Sequence, residues 1–277
     1  MRYIDSHMHF WDQTVLRPYT WLHEVPSIAH AHTPASLHQE AGADLPEKII
    51  FVECGAPWLD EVKWVEQLAV QEPRICAIVA KITMNAGAET TAAIAELRRH
   101  PLVRGVRDNF EHAAVDHCIR PEFAAGVRQL AAAGLNCDLC CKHPQLPAVI
   151  ELVRQCPEVN FILDHGGKPG IRAGLLDPWH EHIRTLAALP NIVCKLSGLV
   201  TEADHARWTP EQLRPYVSHI LETFGPSRLL FGGDWPVAKL ACGYLRWLAL
   251  AREFTAHLDA SEQAAIFAHN ATRVYRL

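Results

Sequence analysis

The feature that most constrains the fold of this 277-residue chain is a regular alternation of short apolar runs with longer helical segments. Eight runs are rich in β-branched and apolar residues and are predicted as strands: Tyr3–His7, Ile49–Glu53, Ile75–Ile82, Val103–Arg107, Asn136–Cys141, Val159–Asp164, Asn191–Leu196 and Arg228–Gly232. Most of them are separated by segments with helical periodicity: Leu59–Gln71, Ala88–His100, Pro121–Ala133, Gln145–Cys156, Pro178–Leu189 and Pro210–Phe224.

Strands that alternate with helices pair in parallel, and eight such units fit the roughly 250 residues typical of a (β/α)₈ barrel. A doubly wound open sheet is the competing architecture, but no G-x-G-x-x-G follows the first strand. We therefore predict one α/β domain over residues 1–277, a TIM barrel. The stretch Phe10–Lys48 is rich in Trp, Pro and His without a clear period, and it is expected to be a long insertion after strand 1. Such an insertion lies at the C-terminal rim of a barrel, where active sites form.

Composition excludes several classes of function. The formal net charge is −5, and a mildly acidic chain lacks the basic face that nucleic acid binding requires. No apolar stretch approaches the roughly 18 residues of a membrane span, and the N-terminus has no apolar run of a signal peptide. We expect a cytoplasmic protein that binds a small molecule, with neither a nucleic acid nor a membrane as partner, and a homo-oligomer is left open.

Cysteine usage agrees with that compartment. The nine cysteines are an odd number, and most lie inside apolar runs. Cys137 and Cys140 match C-x-x-C, but residues i and i+3 of a strand point to opposite faces and cannot share one metal ion. Buried, reduced thiols that pack as small apolar side chains are the better interpretation.

Polar residues cluster where the predicted strands end, and parallel strands all end on one face of a barrel. The residues concerned are His7, His9, Glu53, Arg104, Arg107, Asp108, Lys142, His143, Asp164, His165, Lys168, Lys195, Ser197 and Asp234. His7 and His9 form H-x-H on a strand, so both rings point to one side and can bind one ion or one substrate. The alternative is a pair of core histidines satisfied by hydrogen bonds, and the later partners His165 and Asp234 favour the site.

Several motifs along nearly the whole chain resemble the amidohydrolase superfamily, in particular its amidohydrolase-2 branch of sugar and dicarboxylate lactonases. They are Ile4–Asp12 (IDSHMHFWD), Tyr19–Leu22 (YTWL), Gly105–Arg107 (GVR), Leu163–Pro169 (LDHGGKP), Cys194–Leu199 (CKLSGL), Phe231–Pro236 (FGGDWP) and Asn270–Tyr275 (NATRVY). Three departures are visible: Met8 stands where Gln is common but points away from the mouth, Gly233 stands where Ser is common, and strand 4 offers Arg107 rather than Lys or Glu. No residue on strand 4 can therefore bridge two metals. On strand 5, His143 and Lys142 both remain candidates for the site.

The resemblance implies a hydrolase that opens a small lactone, with a sugar acid (aldono-) lactone favoured. Asp234 is the expected base for water, and His7, His9 and His165 would polarise the carbonyl directly or through one divalent metal such as Zn²⁺. That metal would be held by His7, His9, His165 and Asp234, and we expect it to be dispensable because a lactone is a reactive ester.

Substrate binding is assigned to Arg107, Lys168, Trp11, Trp235, Glu53 and His143. A surface ion pair is the alternative for Arg107, and packing beneath the mouth is the alternative for the two tryptophans. Two other functions stay open: a metal-dependent decarboxylase of an unsaturated or aromatic acid, and a catalytically inactive binding barrel.

Overall fold

The computed structural model describes residues 2–277, which form an eight-stranded, nearly closed parallel barrel in the order β1 to β8. The strands are β1 (Ile4–Met8), β2 (Lys48–Val52), β3 (Ile75–Lys81), β4 (Val103–Arg107), β5 (Asn136–Leu139), β6 (Phe161–Leu163), β7 (Ile192–Leu196) and β8 (Leu229–Phe231). Every predicted strand is present, and its ends differ from the prediction by at most two residues. The predicted (β/α)₈ barrel is confirmed.

Helices follow the strands and cover the outside of the barrel. They are α1 (Pro34–Ala41), α2 (Trp58–Gln71), α3 (Ala88–Leu97), α4 (Pro121–Ala133), α5 (Leu146–Gln155), α6 (Trp179–Ala187), α7 (Pro210–Phe224), α8 (Tyr244–Phe254), α9 (Ala260–Ala264) and α10 (Asn270–Tyr275). The bounds of α4 and α7 match the prediction because both begin with proline in the first turn, where no amide donor is needed. Helix α4 then ends at Gly134, whose φ of 68° suits a residue without Cβ.

The region between β1 and β2 contains more regular structure than the sequence indicated. Helix α1 occupies its second half, and short 3₁₀ turns at Thr20–Glu24 and Pro26–Ile28 occupy its first half. The expectation of an irregular insertion throughout was therefore wrong for Pro34–Ala41. Helix α1 buries only Leu37 and Ala41, so its apolar period is too weak to recognise.

Two apolar layers hold the barrel. The larger one fills the space between strands and helices, and the smaller one closes the floor of the barrel interior. The floor is built from inward-facing strand residues and from the C-terminal helix α10, which contributes Ala271 and Tyr275. The floor is therefore apolar, and the opposite end of the interior is the end that carries polar side chains.

The first and last strands meet through backbone hydrogen bonds at the C-terminal rim. The amide of His9 donates to the Trp235 carbonyl at 2.8 Å, and the amide of Asp234 donates to the His7 carbonyl at 2.8 Å. These bonds bring the segment after β8 against the end of β1. They set the distance between two of the predicted site residues.

All nine cysteines carry free thiols, and eight of them are buried, while Cys76 is half-buried. Within residues 2–277, no helix combines the length and the apolar character needed to cross a membrane.

Candidate active site

His7 and His9 lie at the end of β1 and just after it, and both are buried at the mouth of the barrel. Their ring centroids are 4.9 Å apart. His9 Nδ1 lies 2.8 Å from the Val52 carbonyl, and because a carbonyl only accepts, this nitrogen carries the ring proton. The lone pair of His9 Nε2 therefore faces Asp234, whose Oδ1 is 3.5 Å away.

Asp234 and His165 follow β8 and β6 with a backbone conformation that is rare for residues with side chains. Their φ angles are 51° and 54°, in the left-handed region. A Cβ on Gly198 would lie 2.3 Å from His165 Nδ1 and 2.9 Å from Asp234 Oδ2, so only glycine fits beside them. Strained backbone of this kind concentrates at functional sites.

The structure brings the four predicted residues together. His7 Nε2 lies 3.8 Å from Asp234 Oδ1, and the His7 and His165 ring centroids are 4.4 Å apart. The Ser197 hydroxyl lies 2.9 Å from His165 Nδ1 and orients that ring. One cavity end thus holds three imidazoles and one carboxylate.

The electrostatics leave His7 and His165 neutral and the Asp234 carboxylate charged near pH 7. Burial lowers the pKa of His165 to about 4 and holds the pKa of His7 well below its ordinary value. Burial alone would raise the pKa of Asp234, but His165 and Lys168 outweigh it and lower that pKa. A neutral imidazole can ligate a metal or hydrogen-bond a carbonyl, and a carboxylate can accept a proton.

A buried ionic network beneath these residues was not assigned from the sequence. Lys195 on β7 is fully buried; its ammonium contacts the Asp138 carboxylate, lies 3.0 Å from Asp164 Oδ1 and lies 3.1 Å from His7 Nδ1. Tyr275, from the floor, donates to Asp138 at 3.2 Å. Asp164 and Lys195 were already among the polar strand-end residues of the sequence, whereas Asp138, which interrupts the apolar run of β5, was not.

Arg107 belongs to the same network. Its Nε donates to Glu53 Oε1 at 2.7 Å, and its guanidinium lies 3.1 Å from Asp164 Oδ2 and 3.4 Å from His7 Nε2. The pair Arg107–Glu53 is buried rather than a surface ion pair. Both side chains were predicted to bind substrate, but in this structure each is already occupied by the other.

Lys168 is likewise paired. Its ammonium contacts the Glu111 carboxylate closely and lies 3.9 Å from Glu202 Oε1. These three side chains follow β6, β4 and β7, and they are 14–21% exposed. They are more exposed than the histidines and Asp234. Glu111 lies in a loop and Glu202 ends the 3₁₀ turn Leu199–Glu202, so no sequence period identified either of them.

The two tryptophans pack inside the rim. Trp11 and Trp235 have no solvent exposure; the Trp11 indole donates to the His30 carbonyl at 2.9 Å, and the Trp235 indole donates to Glu40 at 2.9 Å. Neither ring offers a free face to a sugar, so the packing alternative describes them better. His143 begins a 3₁₀ turn after β5 and is half-buried, and Asp138 is the strand-5 residue that reaches the network.

The donor set fits one divalent ion. One nitrogen each from His7 and His9 and one oxygen from Asp234 lie within 4.8 Å of one another, as do donors of His7, Asp164 and His165. Asp164 is already bound by Arg107 and Lys195, so the first set is freer to bind. Neutral imidazoles with a carboxylate are ligands that Zn²⁺ accepts.

Comparison with known proteins agrees with this geometry. The Amidohydrolase family model matches residues 4–277. L-Fucono-1,5-lactonases from Burkholderia ambifaria and Burkholderia multivorans are 31% and 34% identical, each over 99% of this chain and over 95% and 96% of the relative. A crystal structure of a Burkholderia multivorans amidohydrolase with bound Zn is 33% identical, covers all of both chains and superposes with a TM-score of 0.91. The chain therefore belongs to the amidohydrolase family.

Proposed function

We propose that this protein hydrolyses the cyclic ester of a small sugar lactone. The observation that carries the proposal is the convergence of His7, His9 and Asp234, whose donor atoms lie within 4.8 Å of one another at the mouth of the barrel. The similarity to two L-fucono-1,5-lactonases supports ring opening of a sugar lactone over the alternative of decarboxylation. A role in carbohydrate metabolism follows as part of the proposal, and the free thiols support a cytoplasmic site of action.

Asp234 and the histidines have separate roles in the hydrolysis. Asp234 accepts a proton from water, and the water oxygen then attacks the lactone carbonyl carbon. A ring N–H of His7 or His165 stabilises the oxyanion that forms, since the ring proton of His9 is held by the Val52 carbonyl. When the C–O bond of the ring breaks, Asp234 returns the proton to the departing alkoxide, and the product is an open hydroxy acid.

A divalent ion would fit the same residues. His7, His9 and Asp234 would hold it, with His165 beside them, and when bound it would act as a Lewis acid on the carbonyl. The Val52 carbonyl keeps the His9 proton on Nδ1 and so leaves Nε2 available. We propose one ion per chain, because strand 4 presents the Arg107 guanidinium rather than a bridging ligand.

The test is turnover of a panel of neutral aldonolactones, followed as acid release with a pH indicator. Asp234→Asn should retain the fold, because Asn also tolerates the left-handed backbone, and it should lose about 10²–10⁴-fold in kcat. Asp60→Asn, an exposed change of the same kind on α2, should retain full activity.

Two results would contradict the proposal. Wild-type activity that survives intact in Asp234→Asn would remove Asp234 as the base. Release of CO₂ from unsaturated or aromatic acids, without hydrolysis of any lactone, would favour the decarboxylase instead.

A further inference from the structure

Three charged side chains form the outer part of the mouth, which we call the rim cluster: Glu111, Lys168 and Glu202. They come from three different loops at the C-terminal ends of strands and are 14%, 16% and 21% exposed. The catalytic carboxylate Asp234 is only 4% exposed. The rim cluster is therefore more exposed than Asp234, and it is close enough for Asp234 to act on the charge of Glu202 and for Lys168 to act on that of Asp234.

The positive charge of the rim cluster is already neutralised. Lys168 donates to Glu111 Oε2, and Asn109 Nδ2 donates to Glu111 Oε1 at 3.3 Å. Burial would raise the pKa of Glu111, but the ammonium of Lys168 outweighs it and lowers that pKa to about 2. A ligand carboxylate that competed for Lys168 would have to displace a carboxylate that the protein itself provides.

Glu202 is the open acceptor of the cluster. Within residues 2–277 no hydrogen bond of normal geometry reaches its carboxylate, and its ionic neighbour Lys168 Nζ is 3.9 Å away. Burial raises the pKa of Glu202; among the neighbouring charges Lys168 lowers that pKa, and Glu111 and Asp234 raise it. Lys168 is in contact with Glu111 and 3.9 Å from Glu202, so the Glu202 carboxylate is the less neutralised of the two and would repel a carboxylate brought in by a ligand.

Two other cations, Arg107 and Lys142, lie near the mouth of the barrel. Arg107 is held by Glu53 and Asp164. Lys142 is half-buried with its ammonium 3.5 Å from His112 Nδ1, and its effect on the pKa of Glu202 is smaller than that of Lys168. Carboxylate oxygens accept hydrogen bonds from hydroxyls, and the ammonium can donate to a hydroxyl oxygen. The chemistry of the cluster therefore suits a neutral, polyhydroxylated ligand.

We propose that Glu202 and the Glu111–Lys168 pair select uncharged polyhydroxy lactones and reject lactones that carry a carboxylate. Rejection uses like-charge repulsion from Glu202, and recognition uses hydrogen bonds from substrate hydroxyls to the cluster. This inference rests on the proposed lactonase function and names its substrate class. It also revises the expectation that Lys168 binds a substrate carboxylate.

The kinetic test compares a neutral aldonolactone with a lactone of the same ring size that carries one carboxylate. For the wild type, kcat/KM should be at least about tenfold higher for the neutral lactone, with the difference mainly in KM. Glu202→Gln should narrow that ratio about tenfold, because the amide keeps an acceptor but loses the charge. Glu202→Ala should raise KM for the neutral lactone more than Glu202→Gln does.

Glu111→Gln tests the neutralised lysine directly. Loss of the carboxylate frees the charge of Lys168, so the carboxylated lactone should gain in kcat/KM while the neutral one does not. Glu181→Gln, an equal change of net charge on the exposed face of α6, should leave the ratio unchanged. An unchanged ratio in both Glu202→Gln and Glu111→Gln, at preserved melting temperature, would overturn the proposal.

A binding experiment separates this inference from the proposed reaction. Wild-type protein is titrated by calorimetry with a neutral aldonolactam and with a carboxylated lactam, which the enzyme cannot open. Preferential binding of the neutral lactam supports selection of uncharged ligands by the rim cluster, even if no lactone is hydrolysed. Equal or tighter binding of the carboxylated lactam, or binding of neither, overturns it.

Discussion

Among single residues, His32 is the clearest case of a polar group buried without a partner. The side chain is 1% exposed, and its ring meets Trp11 at 5.2 Å and Trp235 at 5.3 Å, both edge-on. Neither ring nitrogen has a hydrogen-bond partner within residues 2–277. Burial lowers the pKa of His32 from 6.5 to about 4.

His32→Phe should stabilise the protein and flatten part of its pH dependence. The unfolded chain binds a proton below pH 6.5, whereas the folded chain resists it until about pH 4. His32 therefore weakens the fold as pH falls through this window, by roughly 2 kcal/mol at pH 5. Urea unfolding at pH 7.5 and pH 5 measures the effect. His257→Gln, at an exposed position, is the control. If the free energy of unfolding changes equally between pH 7.5 and pH 5 in His32→Phe and in the wild type, the explanation is contradicted.

At the level of elements, α4 contacts the segment after β3 at a single glycine. A Cβ on Gly126 would lie 2.0 Å from the Met84 carbonyl oxygen. The backbone of Met84 is held in place because its amide donates to Asp108 Oδ2 at 2.8 Å. The close approach of helix and loop therefore depends on the absence of a side chain.

Gly126→Ala should lower the free energy of unfolding by about 1–3 kcal/mol despite the higher helix propensity of alanine. The cause is overpacking against backbone that cannot move. Thermal unfolding should register a fall of roughly 2–4 °C per kcal/mol. Ala125→Ser, on the exposed face of the same helix, should change stability by no more than about 0.5 kcal/mol. A melting temperature at or above wild type in Gly126→Ala would show that α4 can shift.

Across the whole molecule, the barrel interior has an excess of negative charge around His7. The network and the site contain four buried carboxylates, Glu53, Asp138, Asp164 and Asp234, against two buried cations, Arg107 and Lys195. A fifth carboxylate, Asp5, is held separately by the amides of His7 and Gly233 and by the Tyr244 hydroxyl. Unpaired buried charge is costly, and one divalent ion would offset an excess of two.

We therefore expect at most one divalent ion per chain. Elemental analysis gives the stoichiometry, and chelation should lower the melting temperature because the buried carboxylates lose their counterion. Activity on a responsive lactone should fall but not vanish, since the histidines can polarise the carbonyl themselves. Two ions per chain would contradict the count, and a complete loss of activity that added metal reverses would contradict dispensability.

Strand positions were predictable because they depend on local pattern. Most of β1 to β8 are short runs of apolar or β-branched residues, and the alternation of side chains between the two faces of a strand is a property of neighbouring residues. Helix α1 was missed because it buries only two residues, so its packing is set by elements distant in the chain. Association of copies of the chain stays an untested expectation, since it concerns surfaces that no local pattern identifies.

The sequence by itself determined the barrel and the meeting of His7, His9, His165 and Asp234, because parallel strands all end on one face. Only the tertiary structure decided which charged groups remain free. Arg107 is occupied by Glu53, 54 positions away, and Lys168 by Glu111, 57 positions away. Periodicity follows from the geometry of adjacent residues, whereas ion pairing depends on distances between loops that only the closed barrel sets. For that reason Glu202 became visible as an open acceptor in the fold and not in the sequence.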